Sequence, residues 1–253
     1  MVLTSLEAPD AHRMLLRQYM SRKVVMLADK NEPSFPNGEG GTGFYVTAPS
    51  GKTYIMTNRH VCQTTSAGSL WASAGDQGEK QIQILVVSDE SDLCLLETPT
   101  DESGLSFAPG VSAGQQIYYA GHPDLNPFTF TMGEAVGITQ ETVGIGVIGK
   151  DIQLADCQTM KDSFISRVSQ YEEIFENYPF LRESPIFPKT KTVDLCFEKD
   201  DALITTLQIY SGASGGPVTD FLGRLVGVAY ATGPTNWAYA VPLSAVRKIL
   251  KGR

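Results

Sequence analysis

Ser214 lies in the string Gly212-Ala213-Ser214-Gly215-Gly216-Pro217. A serine hydroxyl is a poor nucleophile unless a base takes its proton and donors hold the resulting oxyanion. Glycines around the serine allow a tight turn that aims two backbone N–H groups at one spot. The natural donors here are the N–H groups of Gly212 and Ser214. The plain alternative is a Gly-rich β-turn between Tyr210 and Val218. A base must come from His12, His60 or His122, the three histidines of the chain. His60 ends the string Tyr54-Ile55-Met56-Thr57-Asn58-Arg59-His60, an apolar strand running into a polar turn. His12 falls on a leading helix. His122, in Gly121-His122-Pro123, falls in a turn and is a second candidate base. Asp92 enters the apolar run Leu93-Cys94-Leu95-Leu96. A carboxylate there is partly buried and needs a partner. An imidazole N–H suits it, because the pair fixes the tautomer and stabilises the imidazolium. Asp89 and Glu90 fit a solvated loop instead.

Chain order separates rival readings. The string also satisfies G-x-S-x-G, the nucleophile elbow of α/β-hydrolases, but that scheme needs a histidine after the serine. All three histidines precede Ser214. Subtilisin order needs an aspartate before the histidine. Only Asp10 and Asp29 qualify, and neither ends a convincing apolar strand. His60, Asp92, Ser214 is the order with good context at every position.

The elements that must position these residues are mostly strands. Short apolar runs alternate with Gly, Pro, Asn and Asp: Val24–Ala28, Gly43–Val46, Tyr54–Met56, Ile82–Val87 and Leu93–Leu96. The texture resumes at Gln116–Ala120, Phe128–Met132, Ala135–Ile138, Thr142–Ile148, Ala202–Gln208, Leu225–Ala231 and Trp237–Val241. This spacing suits a barrel or sandwich. No strand–helix alternation appears, which disfavours a doubly wound parallel sheet. A leading helix places Ala11, Met14, Leu15 and Tyr19 roughly on one face. A second helix is expected over 162–178, capped by Asp162 and stopped by Asn177 and Pro179. A third runs from Leu243 to Lys251, with Leu243, Val246, Ile249 and Leu250 on one side.

Composition narrows the function classes. The 253 residues suffice for one large domain or two modest ones. Twenty Lys and Arg against 28 Asp and Glu leave a net charge of −8. That balance disfavours nucleic acid and anionic membrane surfaces as partners. No apolar stretch approaches the roughly 18 residues of a membrane span. The first twenty residues lack the apolar block of a signal peptide, so a cytoplasmic protein is expected if Met1 is the natural start. Four cysteines, Cys62, Cys94, Cys157 and Cys196, are too scattered for a disulfide scaffold. Without a Cys-x-x-Cys, no metal site is expected, and nothing calls for a cofactor.

Together these strings resemble the trypsin-like serine peptidases, and most closely the HtrA/Deg-type protease domain. Gly41-Thr42-Gly43-Phe44-Tyr45-Val46 followed by Thr57-Asn58-Arg59-His60-Val61 resembles that group's strand pair leading to the catalytic histidine. Asp92-Leu93-Cys94-Leu95-Leu96 resembles its aspartate strand. Gly121-His122-Pro123 stands where the group has a Gly-Asn-Pro turn. Trp237-Ala238-Tyr239-Ala240-Val241-Pro242 resembles its closing strand. The resemblance spans about Gly41 to Leu250, with a gap near 150–200.

It implies an all-β, chymotrypsin-like protein with minor helices: two antiparallel six-stranded β-barrels, terminal helices and a helical insertion in the second barrel. The corresponding organisation is an N-terminal helix over 1–21, a first barrel over 22–110 and a second barrel over 111–253. The second carries an insertion at about 149–200 and a C-terminal helix over 243–252. Ser214 would attack a peptide carbonyl, His60 take its proton, Asp92 orient His60, and the N–H groups of Gly212 and Ser214 stabilise the oxyanion. Ala213 stands where secreted trypsins carry an aspartate that pairs with a new N-terminus, so that activation switch is not expected. A PDZ domain like that of longer HtrA proteins is not expected after Arg253. Cys62 and Cys94 are expected as buried free thiols. Gln208, six residues before the nucleophile, would sit at the base of the S1 pocket. Tyr230, Ala231 and Thr232 would pair with substrate backbone, and Trp237 would narrow the pocket toward small or medium apolar side chains. Substrates would be proteins or peptides. The insertion 149–200 packs against the barrel in the plain reading; in the other it docks a regulatory partner. Two further classes remain open: a catalytically silent peptide-binding module, and an esterase or acyl transferase using the same three residues.

Overall fold

The computed structural model describes residues 8–29, 39–63, 68–74, 78–123, 127–148, 193–210, 212–232 and 237–253. Side chains are not described at 8–9, 39, 139–148, 193–200 and 231–232. The helix expected over 162–178 lies outside these residues, as does most of 149–200.

The expected strands close into two barrels. β1 (Val24–Asp29), β2 (Glu39–Thr47), β3 (Thr53–Thr57), β4 (Ser69–Ser73), β5 (Glu79–Val87) and β6 (Cys94–Leu96) close in the order β1-β2-β3-β6-β5-β4. β7 (Gln116–Gly121), β8 (Thr129–Ile148), β9 (Val193–Thr205), β10 (Pro217–Asp220), β11 (Leu225–Thr232) and β12 (Ala238–Pro242) close as β10-β11-β12-β9-β8-β7. Neighbouring strands run antiparallel. The fold is chymotrypsin-like. Three runs expected as separate strands between Phe128 and Ile148 form the single long β8. The polar turn expected after β3 is a short helix, α2 (Arg59–Cys62). Two compact units divide the chain: residues 1–139 with 201–253, and residues 140–200. The candidate site lies wholly in the first.

Side-chain alternation along each strand explains why so many strands read as unbroken apolar runs. In β1, Val25 and Leu27 fill the first barrel, while Val24 faces the second. In β6, Cys94 and Leu96 point inward and Leu95 outward. Ile117, Leu203, Val218 and Val226 fill the second barrel. Phe44, Val46, Met56, Tyr118, Leu225 and Val241 form a third apolar layer where the barrels meet. A strand buried on both faces has no polar side to alternate with.

Two helices extend that shared layer. α3 (Leu243–Leu250) buries Leu243, Val246 and Leu250. α1 (Ala8–Ser21) buries Leu16 and Met20, one turn apart. The face expected for α1 is not the one that docks: Met14, Leu15 and Tyr19 are exposed. The helix is apolar on more than one side, so the barrel surface selects which side is covered.

The expectation of free thiols at Cys62 and Cys94 is corrected by the fold: they form a disulfide. The register explains it. β3 pairs with β6 with Thr57 opposite Cys94. The chain leaves β3 directly into α2, so Cys62 turns back over the start of β6. Both sulfurs then enter the first barrel core, with the Cα atoms 6.5 Å apart. Nothing in a spacing of 32 residues announces that pairing. Replacing both cysteines by alanine should lower stability by about 3–4 kcal/mol, the loop-closure value for a loop of that length. The check is a urea melt without reductant, read as a lower midpoint. An unchanged midpoint would mean that the two sulfurs are not joined in solution.

Candidate active site

The β3–β6 register that joins the cysteines also brings His60 to Asp92. Asn58, between β3 and α2, is fully buried, and its side-chain N–H donates to the Asp92 backbone carbonyl at 2.9 Å. That bond ties the loop entering β6 to the start of α2. His60 then meets the carboxylate twice. Its backbone N–H donates to Oδ1 at 3.0 Å, and its ring Nδ1 lies 2.8 Å from Oδ2. With Nδ1–H donating, Nε2 is left as the acceptor facing outward. The His60 ring is about one-third exposed while Asp92 is buried.

Burial alone would push the Asp92 carboxyl up. The charge of His60, the two hydrogen bonds from His60 and the positive charge of Arg59 more than offset it, and hold the carboxyl below its ordinary 3.8. Arg59 is itself buried and donates to the Ser88 carbonyl at 3.1 Å. Asp92 therefore stays ionised beside His60 at neutral pH, the state that orients an imidazole.

Ser214 is carried by a loop from the second barrel. A turn closes from Ala213 N–H to the Tyr210 carbonyl at 3.0 Å, and its third residue, Gly212, has φ +76°. A positive φ at that position favours glycine. Gly215 follows with φ +86°, and a Cβ there would stand 2.1 Å from both the Thr42 carbonyl and the Thr57 hydroxyl. The glycines thus serve conformation and close approach together.

The backbone donors of this loop divide into two groups. Ala213, Gly215 and Gly216 donate to Tyr210, Ala229 and Ala213. The N–H groups of Gly212 and Ser214 have no acceptor among the described residues. These are the two donors expected for an oxyanion.

Both barrels contribute to the place where the segments meet. The Thr42 N–H, on β2, donates to the Ser214 carbonyl at 2.8 Å. Gly41 lies between Ser214 and the His60 helix: a Cβ on it would be 2.8 Å from the Ser214 carbonyl and 2.8 Å from a Val61 methyl. The Ser214 hydroxyl does not reach His60 in this structure. It donates to the Tyr230 carbonyl at 3.2 Å. Tyr230 sits at an irregularity in β11, between Ala229 and Ala231, and its ring stacks on Tyr239 at 6.2 Å.

The remaining expected residues are more dispersed. Gln208 is exposed. Ala231 and Thr232 end β11, paired with β12. Trp237 is 40% exposed just before β12. The ring of His12 stacks on Phe221 at 3.9 Å, and its Nε2 donates to that residue's carbonyl at 2.8 Å. His122 donates its backbone N–H to the Thr42 hydroxyl at 2.8 Å, with its ring edge-on to Phe128. No group of three His, Cys, Asp or Glu side chains among the described residues is placed to hold a metal ion.

Residue-level reading missed three contributors: Asn58, Arg59 and Thr42. Asn58 and Arg59 did carry a signal, being polar residues at the end of a buried strand. Thr42 acts across a long sequence separation and carried none.

Comparison with known proteins agrees with this geometry. The family model for the trypsin-like peptidase domain matches residues 41–228. No curated protein sequence matches the chain significantly. Among solved structures, the chain is similar to the active form of the Rv3671c protease from M. tuberculosis, at 20% identity and TM-score 0.59, covering 100% of this chain and 95% of that one. It is similar to Deg5 at 20% identity and TM-score 0.59, covering 97% and 95%. A serine endoprotease from Yersinia pestis follows at 17% identity and TM-score 0.58, covering 99% of this chain and 67% of that one. At such identities the neighbours speak for the fold, while the family model spans most of the chain. With strands, barrels and serine loop in agreement, the chain belongs to the trypsin-like peptidase family and is a serine protease.

Proposed function

We propose that the chain is a serine endopeptidase in which Ser214 is the nucleophile, His60 the general base, and Asp92 the group that orients His60. The observation that carries this reading is the pair of N–H groups, Gly212 and Ser214, with no acceptor among the described residues while the donors between and after them are bonded. Two convergent backbone donors at a partly exposed serine suit the oxyanion of a tetrahedral intermediate. In the reaction the Ser214 hydroxyl leaves Tyr230, gives its proton to His60 Nε2 and bonds to the scissile carbonyl carbon. The two N–H groups take up the negative oxygen. His60 returns the proton to the leaving amine, and water, activated the same way, releases the acyl group. Asp92 remains a carboxylate throughout.

Substrates are proteins or peptides. Backbone bonding between the serine loop with β10 and β11 runs to Ala229, through Gly215 and Gly216. Beyond it β11 pairs with β12, and substrate backbone would add along the opposite edge near Ala231 and Thr232. Trp237, just before β12, would favour small or medium apolar side chains, with Gln208 at the pocket base. A narrow substrate range and control by a partner complete the proposal. The partner surface expected on 149–200 falls outside the described residues and adds no support.

No helix among the described residues is long and apolar enough to cross a membrane. The Cys62–Cys94 bond weighs against the cytoplasmic setting expected earlier, since such bonds persist in oxidising compartments.

One observation favours a second reading, a protein that binds peptides without turnover: the Ser214 hydroxyl rests on Tyr230 rather than on His60. Fluorophosphonate labelling of the purified chain separates the two. Wild type should label. Ser214→Ala should not label at all, and His60→Ala should lose on the order of a millionfold in rate, below detection. Asp92→Asn should retain labelling at a rate about ten-thousandfold lower. Absence of wild-type labelling would favour the silent module.

The depressed Asp92 value makes a separate prediction about stability. A carboxyl whose folded value lies below its unfolded one stabilises the fold fully above the unfolded value. That contribution is lost as pH falls toward the folded value. The wild type should therefore lose stability on acidification below about pH 4 more steeply than Asp92→Asn. Urea midpoints between neutral pH and pH 2 measure this, and parallel acid limbs would show that Asp92 is not held by His60 and Arg59.

A further inference from the structure

The peptide bond that carries the Ser214 N–H also carries the Ala213 carbonyl. In a trans peptide these two groups point in opposite directions. Whatever fixes the Ala213 carbonyl therefore fixes the direction of the Ser214 N–H. Ala213 has no polar side chain with which to hold itself. Its carbonyl instead accepts twice: from the Gly216 N–H at 3.1 Å, and from the hydroxyl of Tyr119 at 3.1 Å.

Tyr119 lies on β7, 94 residues before Ala213, and is almost completely buried. The fold leaves a slot for it. A Cβ at Gly216 would stand 2.4 Å from its ring, and one at Gly121 would stand 1.9 Å from its hydroxyl. Both positions must stay bare for the phenol to reach Ala213. Burial pushes the phenol well above its ordinary value, partly offset by a hydrogen bond with Thr42, so it remains a donor at any physiological pH. On the far side of the serine the next peptide is held too. Its carbonyl accepts from Thr42, and its N–H, that of Gly215, donates to Ala229. Among the described residues, Tyr119 thus supplies the one side-chain bond in the set that holds the two peptide planes flanking Ser214.

We propose that Tyr119 is a positioning residue, whose hydroxyl anchors the Ala213 carbonyl and thereby turns the Ser214 N–H toward the substrate oxygen. The proposal rests on the reading of Gly212 and Ser214 as the oxyanion donors. It assigns the phenol an effect on the transition state and none on ground-state binding.

Tyr119→Phe removes one oxygen and keeps the ring in its slot. Tyr118→Phe is the control: the neighbouring phenol donates to Gln116, away from the loop. Two readouts are taken on the full chain: the rate and half-saturating concentration of fluorophosphonate labelling, and hydrogen exchange of the segment 207–217. Tyr119→Phe should lower the limiting labelling rate by about tenfold or more, toward the loss seen when an oxyanion donor is removed. Its half-saturating concentration should stay within about twofold, since ground-state binding is untouched. Exchange should rise within 207–217 and stay unchanged along β7 and β10. Tyr118→Phe should match wild type in both. A Tyr119→Phe protein with wild-type labelling and wild-type exchange overturns the proposal. So does one whose exchange rises equally along β7, β10 and the loop, because that is loss of packing alone. If the wild type itself does not label, the protease reading has failed, and the exchange measurement still decides the anchor: a rise confined to the loop supports it, and no rise refutes it.

Discussion

The hydrogen bond from the Thr42 N–H to the Ser214 carbonyl is the seam on which the site closes. Its net worth is about 1 kcal/mol, far too little to hold two barrels together. The apolar layer containing Phe44, Met56, Leu95, Tyr118 and Leu225 supplies the adhesion. An apolar layer, however, sets distance better than it sets register. Thr42 sets register because all three of its polar groups are engaged. Its N–H binds Ser214, its carbonyl accepts from Thr57 at 2.7 Å, and its hydroxyl accepts from His122 at 2.8 Å. A slip of one residue along β2 would exchange the faces of the strand and break all three.

The charged half of the site obeys a different constraint. Asp92 is buried, and an isolated buried carboxylate would take up a proton. It is kept ionised by groups delivered within a few residues of one another: Arg59 and His60 follow β3 directly, and Asp92, tied to Asn58 through its backbone carbonyl, precedes the strand that pairs with it. One sheet register thus creates the His–Asp pair, and the disulfide two residues beyond each member closes the same corner. The cysteine pairing belongs to the architecture of His60 and Asp92 as much as to the barrel core.

How far the site could be read in the residues follows from these two geometries. Gly212-Ala213-Ser214-Gly215-Gly216 stood out because a loop that other backbone approaches closely must be glycine-rich. His60 and Asp92 were legible because each is a polar residue at the end of an apolar strand, a placement that packing alone does not favour. The all-β texture was legible from short apolar runs punctuated by turn residues, and the two-barrel arrangement only through the resemblance to the trypsin-like peptidases. What stayed hidden depends on contacts between distant segments. The face of α1 that docks was hidden because several of its sides are apolar. The Cys62–Cys94 bond was hidden because it follows from the β3–β6 register, which no single strand encodes. Tyr119 was hidden because it reads as one more core aromatic until β7 and the serine loop are brought together.

The resting position of the Ser214 hydroxyl can be weighed by the same magnitudes. A neutral hydrogen bond to the Tyr230 carbonyl is worth about 0.5–1.5 kcal/mol net. Because about 1.4 kcal/mol is tenfold in population, that bond withdraws the hydroxyl from His60 by roughly tenfold at most. A serine side chain turns about one bond, and exposed rotamers interchange within nanoseconds. Such a contact slows a catalyst slightly and does not silence it. Silence would require loss of something that rotation cannot restore: the Asp92 charge behind His60, or the orientation of the Gly212 and Ser214 donors. The first is held by His60 and Arg59, the second by the turn at Gly212 and the carbonyl of Ala213. The slow and costly elements of the site are built into the fold, and the one element out of place is the cheapest to move.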